Sequence, residues 1–219
     1  MTKNDKVSIL ILTHNASKYV RLTLESLRRH TKSIDYEVCV LDNASKRSTR
    51  WLVNFLYRRG LIDKVVFSSY NTLFAAGNNI LSSVADKTCK YFLLLNSDIE
   101  IKDDNWLKNL LKVHQKGITT YGVVKDEPYR VDGYCYLIDA ELYHQFLLDE
   151  QNFQWFWAIT KQQAQILTAG YNVQGFREHE KYLHHFGGKS GSDFIGADGM
   201  NTPAEVSKKW FNGKKPTLL

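Results

Sequence analysis

The sequence predicts an α/β fold, with a single, mostly parallel sheet flanked by helices. Three observations predict it. Short β-branched runs alternate with stretches whose apolar residues recur at helical spacing. The runs are almost continuously apolar, as strands covered on both faces are. They also end in polar clusters, and an open parallel sheet offers its ligand crevice at the carboxyl ends of its strands.

The elements follow in order. VSILIL (7–12) is a buried strand, broken by Thr13, His14 and Asn15. Ser17 is a capping residue for SKYVRLTLESLRRHT, in which Val20, Leu24 and Leu27 share one face. YEVCVL (36–41) is the second strand and ends in Asp42-Asn43-Ala44-Ser45. A helix carrying Leu52, Phe55 and Leu56 stops near Gly60. KVVF (64–67) is the third strand, and SSYNTLFAAGNN reads as a loop leading into the helix ILSSVAD. YFLLL (91–95) is the fourth strand, closed by Asn96-Ser97-Asp98. Beyond it, DDNWLKNLLKVHQKG reads as a helix, GYCYLID (133–139) as a strand and AELYHQFLL as a helix. DEQNFQWFWAITKQQAQILTAG starts aromatic and becomes helical. Strand–helix alternation implies right-handed crossovers. With three prolines and no repeats or low-complexity tract, residues 1–200 read as one domain and 201–219 as a basic tail.

Composition excludes several classes. The chain has 219 residues, 43% hydrophobic and 24% charged, which is ordinary for a folded globular domain. No apolar stretch reaches bilayer-spanning length, and the N-terminal run is too short for a signal peptide. A cytoplasmic location is expected, with the inner face of a membrane as one site of action. Cys39, Cys89 and Cys135 lack Cys-x-x-Cys spacing and read as free thiols. The net charge of +6 suits an anionic ligand, an anionic membrane surface or nucleic acid. Nucleic acid is not expected as a partner, because only the tail hints at basic residues interleaved with aromatics. The tail's Lys208, Lys209, Lys214 and Lys215 are the candidates for peripheral membrane contact.

The strand ends carry the chemistry. A carboxylate fixed after a buried strand, as Asp98 is, can ligate a hard divalent cation, which takes oxygen donors and leaves positions for phosphate oxygens. Such a cation neutralises a departing diphosphate. VSILILTHN, VLDNASKRST, NTLFAAGNN and LLLNSDIEI stand in that order through the first half of the chain. Together they resemble the family 2 glycosyltransferases, inverting enzymes of the GT-A fold, whose central sheet is Rossmann-like. The resemblance implies metal-dependent transfer of a sugar from a nucleoside-diphosphate sugar (UDP, dTDP or GDP) to a glycan or lipid-linked hydroxyl acceptor, in polysaccharide biosynthesis, with Mn2+ or Mg2+ as cofactor. It implies that Thr13 and Asn15 line the nucleotide pocket and that Asp42 accepts a hydrogen bond from base or ribose. Asn71, Phe74, Ala75, Gly77 and Asn78 would form a loop over nucleotide and donor sugar, with Leu73 where glycine is usual. Asn96 and Ser97 would meet the donor, Asn96 replacing the first acid of the family's Asp-x-Asp signature. Asp98 would hold the metal. VDGYCYLIDAELY looks like the segment that shapes the sugar pocket, and YLHHFGGKS resembles a late His-x-Gly-Gly-x-Ser element. By spacing to Ser190, His185 is the matching metal or phosphate ligand, with His184 its competitor, and Lys189 is placed to meet phosphate.

The pattern fails at one place. An inverting transfer needs a general base to deprotonate the acceptor hydroxyl. The family supplies it from a Glu-Asp pair, yet WFWAITK stands there. Asp149 or Glu150 is the first candidate for the role, Asp132 or Asp139 the next. Otherwise the chain is a non-catalytic, sugar-nucleotide-binding member of the same fold. Phe153, Trp155, Phe156 and Trp157 are candidates for stacking on acceptor sugars. A nucleotidyltransferase or dinucleotide-dependent oxidoreductase would want glycines after the first strand, and THNASKY has none.

Overall fold

The computed structural model describes residues 6–32, 34–189 and 195–219. Its first half runs β1 (Val7–Thr13), α1 (Ser17–His30), β2 (Tyr36–Asp42), α2 (Arg47–Arg58), β3 (Lys64–Phe67), α3 (Leu73–Val84), β4 (Tyr91–Leu95) and β5 (Ile99–Ile101). There follow α4 (Trp106–Val113), β6 (Gly117–Tyr121), β7 (Val123–Val124), β8 (Arg130–Val131), β9 (Cys135–Asp139) and α5 (Ala140–Gln145). The last elements are α6 (Phe156–Thr168), β10 (Asn172–Phe176), β11 (Leu183–His185), α7 (Ala204–Trp210) and β12 (Thr217–Leu218).

The main sheet has the order β12-β10-β6-β9-β4-β1-β2-β3. All its pairs are parallel except those of β9, which runs antiparallel to β4 and β6. This is the expected mostly parallel α/β sheet. Successive side chains of a strand point to opposite faces, and the core divides accordingly. Ile9, Ile11, Val38, Val40, Leu93 and Leu95 pack with α1, α2 and α4 through Leu24, Leu27, Val53, Trp106 and Leu110. Leu10, Leu41, Phe92, Leu94, Tyr136 and Ile138 pack on the other face with Leu81, Tyr143, Ala158, Ile166 and Phe211. Cys39 and Cys135 are buried free thiols and Cys89 is a half-buried one.

Three expectations need correction. NTLFAAGNN is mostly helix, since α3 begins at Leu73. Its first turn is satisfied by a distant carbonyl: the Phe74 and Ala75 amides both donate to the Gln154 oxygen, at 3.1 and 3.2 Å. α1 takes Ala16 as its cap, and Ser17 is its first helical residue. Finally, the expected C-terminal tail is part of the fold. α7 packs on α6, β12 pairs parallel with β10, and Phe211 is buried. The Lys214 ammonium donates to the Leu167 and Thr168 carbonyls at 2.8 and 3.3 Å, completing the end of α6.

Candidate active site

The loops after β1 and β2 are stitched into one rim. Asn15, at φ 55°, accepts from the Lys46 amide at 2.8 Å through Oδ1, and its own amide donates to Ser45 Oγ at 2.9 Å. The Asn43 amide donates to the Thr13 carbonyl at 2.8 Å, and His14 Nδ1 lies 2.6 Å from the Asn43 carbonyl. Asn43 Oδ1 accepts from both the amide and the hydroxyl of Thr72, at 2.6 and 2.9 Å, which brings the start of α3 onto the same rim. Leu73 follows at φ 59°, the left-handed region that glycine enters freely and leucine rarely. Asn71 Oδ1 receives its amide at 3.1 Å and holds it there.

Behind the rim lie two buried polar atoms without partners among the described residues, Thr13 Oγ1 and Asp42 Oδ1. Asp42 is 0% exposed. Its other oxygen accepts from the Ser45 amide at 3.3 Å and faces Arg50 Nε at 3.8 Å. Burial pushes its pKa up, against the opposing pull of Ser45 and Arg50.

The Asn-Ser-Asp turn after β4 is clamped by α1. Thr23 Oγ1 donates to the Ser97 carbonyl at 2.9 Å and accepts from the Ile99 amide at 3.0 Å. β11 pairs antiparallel with β5, placing His185 opposite Ile99. That register carries His185 Nε2 to 3.3 Å from Asp98 Oδ1 and 3.4 Å from Asn96 Nδ2. The Tyr134 ring stacks on His185 at 4.5 Å, and its hydroxyl lies 2.6 Å from His179 Nε2. His184 is exposed and instead meets Phe186, with ring centroids 4.5 Å apart. A carboxylate oxygen and an imidazole nitrogen on one wall are donors that Mn2+ takes. The donor set is sparse, because no group of three His, Cys, Asp or Glu gathers among the described residues. An ion there would rely on water and ligand oxygens as well.

These groups open onto a cavity of about 430 Å3, large enough for a small ligand. Of the residues expected at a donor site, Thr13, Asn71, Phe74, Asn78, Asn96, Ser97, Asp98 and Lys189 line it, while His185 reaches Asp98 from outside the lining. Asn15 is exposed in the rim itself and Asp42 is buried behind it; neither lines the cavity. Ala75 is buried on the inner face of α3, and Gly77 meets the chain itself: a Cβ there would lie 2.9 Å from Leu12 Cδ2 and 3.0 Å from Thr72 Oγ1. Its smallness lets α3 approach β1, not a ligand. Sequence reasoning passed over His14, Asn43 and Arg130, which also line the cavity. For Asn43 the signal was there, in the same strand-end cluster as Asp42.

The far wall comes from β7, β8, the start of β9 and α6. It includes Arg130, Asp132, Trp155, Phe156 and Thr160. Gln163 braces it from within: its Nε2 donates to the Val131 carbonyl at 2.9 Å and its Oε1 accepts the Val131 amide at 3.0 Å. Phe153 and Trp157 pack on Trp210 and lie off this wall. Asp149 and Glu150 lie off it too. Asp149 is ion-paired to Lys161 at 2.6 Å and bonded by Asn152. Burial opposes its ionisation, but Lys161 and Asn152 hold its pKa below the usual carboxylate value. Glu150 accepts from Asn79 Nδ2 at 2.7 Å. Asp139 is committed to His114 and the Gly117 amide at the opposite edge of the sheet. Asp98 and Asp132 are the carboxylates that line the cavity among the described residues.

Residues 8–173 match the family described as "Glycosyl transferase family 2". Among solved structures, the fold is similar to a mannosyltransferase from Pyrobaculum calidifontis in complex with GDP-Man and Mn2+, with a TM-score of 0.66 and 15% identity over 78% of this chain and 54% of that one. It is also similar to residues 1–349 of TarS from S. aureus in complex with UDP, with a TM-score of 0.58 and 18% identity over 73% of this chain and 55% of that one. GalNAc-T7 with UDP, GalNAc and Mn2+ gives a TM-score of 0.65 and 15% identity over 78% of this chain and 42% of that one. The chain therefore spans about half the length of these structures, and the likeness is one of fold. No curated protein sequence matches it.

Proposed function

This chain belongs to glycosyl transferase family 2, and on that premise we propose that it moves a sugar, with inversion, from a nucleoside-diphosphate sugar to a hydroxyl acceptor on a glycan or lipid-linked molecule. One observation carries the reading. The ends of β1, β2 and β4 reach one cavity, and a strand pairing brings His185 within 3.3 Å of Asp98 at its wall. The GDP-Man, UDP and Mn2+ bound in proteins of similar fold support it.

In this reading the nucleotide lies along Thr13, His14 and Asn43, with the unpaired oxygen of Asp42 taking a hydrogen bond from base or ribose. Asp98 and His185 would hold Mn2+ or Mg2+, which would supply positive charge to the departing diphosphate. The acceptor enters along Trp155 and Phe156, whose apolar rings suit sugar faces. Its oxygen bonds to the anomeric carbon as the bond to the diphosphate breaks, and its proton passes to a carboxylate. Asp132 takes that role here, because it lines the cavity. Asp149 is a weak base, already held ionised by Lys161.

One observation favours a second reading, a donor-binding protein without turnover: no carboxylate stands between Trp155 and Lys161. Calorimetry with UDP, GDP and dTDP, in Mn2+ and in chelator, tests the shared donor site. Metal-dependent binding of one nucleotide, lost in Asp98→Ala, is expected. A folded protein that binds none of the three would remove the donor-site reading altogether. Hydrolysis of the cognate donor then separates transferase from binder. No helix among the described residues is long and apolar enough to cross a membrane.

A further inference from the structure

Helix α2 and the sheet edge beside it carry a surface that the cavity does not use. From residue 46 to residue 62 the charged residues are Lys46, Arg47, Arg50, Arg58 and Arg59, with no acid among them. Arg47, Trp51, Phe55 and Arg59 follow at four-residue intervals, so they form one stripe along the helix, and all are exposed. Trp51 is 66% exposed and Phe55 39%. Exposed aromatics continue beside it: Tyr57 on the flank of α2, Phe67 at the end of the outermost strand, β3, and Tyr70 in the loop that follows, 68% exposed. Large apolar side chains gathered on a surface mark an interaction site.

We propose that this face docks on an anionic lipid bilayer, its aromatic side chains entering the headgroup layer and its arginines meeting lipid phosphates. Tryptophan and tyrosine settle at that depth, and clustered cations are drawn to an anionic leaflet. Other occupants fit less well. A symmetric contact with a second copy would set these cations against their own images. Single-stranded nucleic acid stacks its bases on open ring faces. Here Trp51 and Phe55 stack on each other at 5.6 Å and 10°, Arg59 lies over Phe55 at 5.8 Å, and Arg50 lies over Phe67 at 5.2 Å. The C-terminal lysines, where sequence placed membrane contact, are partly engaged: Lys214 caps α6 and Lys208 lies 3.9 Å from Glu127. The Lys46 amide is bonded to Asn15, so the docked face begins at the rim of the cavity.

Co-sedimentation of the full chain with vesicles tests this, using phosphatidylcholine alone against phosphatidylcholine mixed with phosphatidylglycerol. Binding only to the mixed vesicles is expected, weakening as salt shortens the screening length. Removing one interfacial cation weakens binding about five-fold, so Arg47→Gln with Arg59→Gln lowers it on the order of twenty-five-fold. Trp51→Ala lowers it several-fold, and Lys208→Gln with Lys209→Gln leaves it unchanged. Circular dichroism confirms that each variant is folded. The proposal is overturned by equal binding to both vesicle types, by binding to neither, or by binding that survives the α2 changes. A dimer in light scattering that Trp51→Glu dissolves, or capture of an oligonucleotide in place of vesicles, would reassign the face and overturn it as well.

Discussion

Replacing Gln163 with leucine isolates the brace behind the far wall of the cavity. Gln163 is 0% exposed and Val131 1% exposed. The amide side chain stands in for a neighbouring strand, satisfying both the N–H and the C=O of Val131. Leucine has nearly the same volume, so no cavity opens, but both backbone groups lose their partner where water cannot replace it. Each such loss costs about 1–3 kcal/mol. Two such losses, centrally about 4 kcal/mol, set against about 2 kcal/mol for burial of an apolar side chain, leave a net destabilisation of about 2 kcal/mol. For a chain of this length that lowers the melting temperature by roughly 4–8 °C. Thermal and urea melts followed by circular dichroism measure it. Because Val131 stands between Arg130 and Asp132, turnover should fall further than donor affinity. A variant within about 0.5 kcal/mol of wild type would refute the brace and return the wall's position to packing alone.

Asp132→Asn should lower kcat by about 10²–10⁴-fold while leaving nucleotide affinity unchanged, and Asp149→Asn should leave turnover near wild type. The reverse result would restore Asp149 as the base. Acid should destabilise the fold in part through Glu37. Burial opposes its ionisation, yet Ser8, the Asp86 amide and Lys64 bring its pKa below the ordinary value. A carboxyl depressed on folding contributes stability above its unfolded pKa, about 4.3, and that contribution is lost as pH falls through the folded value. Urea midpoints should therefore drop as pH falls below about 4.3, and Glu37→Gln should flatten the drop. Lys214→Met removes the ammonium that completes α6 and should cost about 0.5–1 kcal/mol, whereas a free tail would register nothing.

Much of the fold was legible because its determinants are local. VSILIL, YEVCVL and YFLLL are strands from their own composition, and the helical face of Val20, Leu24 and Leu27 is plain. α3 was hidden because its reasons lie elsewhere in the chain: Asn43 seats Thr72, Gln154 caps the first turn, and the Leu12 and Thr72 side chains crowd residue 77. β6 was hidden because GITTY has no apolar alternation, its buried threonines being satisfied by distant or local polar groups, Thr119 by His114 and Gln174 and Thr120 by the Gly122 carbonyl. The tail looked solvated because its lysines outnumber Trp210 and Phe211, which do the packing. At the site, strand ends announced Thr13, Asp42 and Asp98. Spacing alone also selected His185 over His184, and β11 pairing gives that choice its geometry. Asp149 and Glu150 were nominated by position along the chain, and in space they are engaged by Lys161 and Asn79 away from the cavity.

β9 runs against its neighbours, and this reversal separates what the two walls of the cavity can become. The donor wall is built where strands of the main sheet end, so lengthening it disturbs turns that also seat helices. The far wall is built where β9 begins, by a chain segment arriving through the small β7–β8 ribbon, which stands outside the eight-stranded sheet. Residues 125–129, the tip of that ribbon, belong to no strand, and the Asp126 and Pro128 carbonyls accept from the Arg130 guanidinium at 3.4 and 3.0 Å, so the tip positions a side chain of the far wall. Under the proposed transfer reaction, a library confined to those residues should vary acceptor choice while leaving nucleotide affinity unchanged, which a panel of acceptors assayed beside nucleotide calorimetry would check.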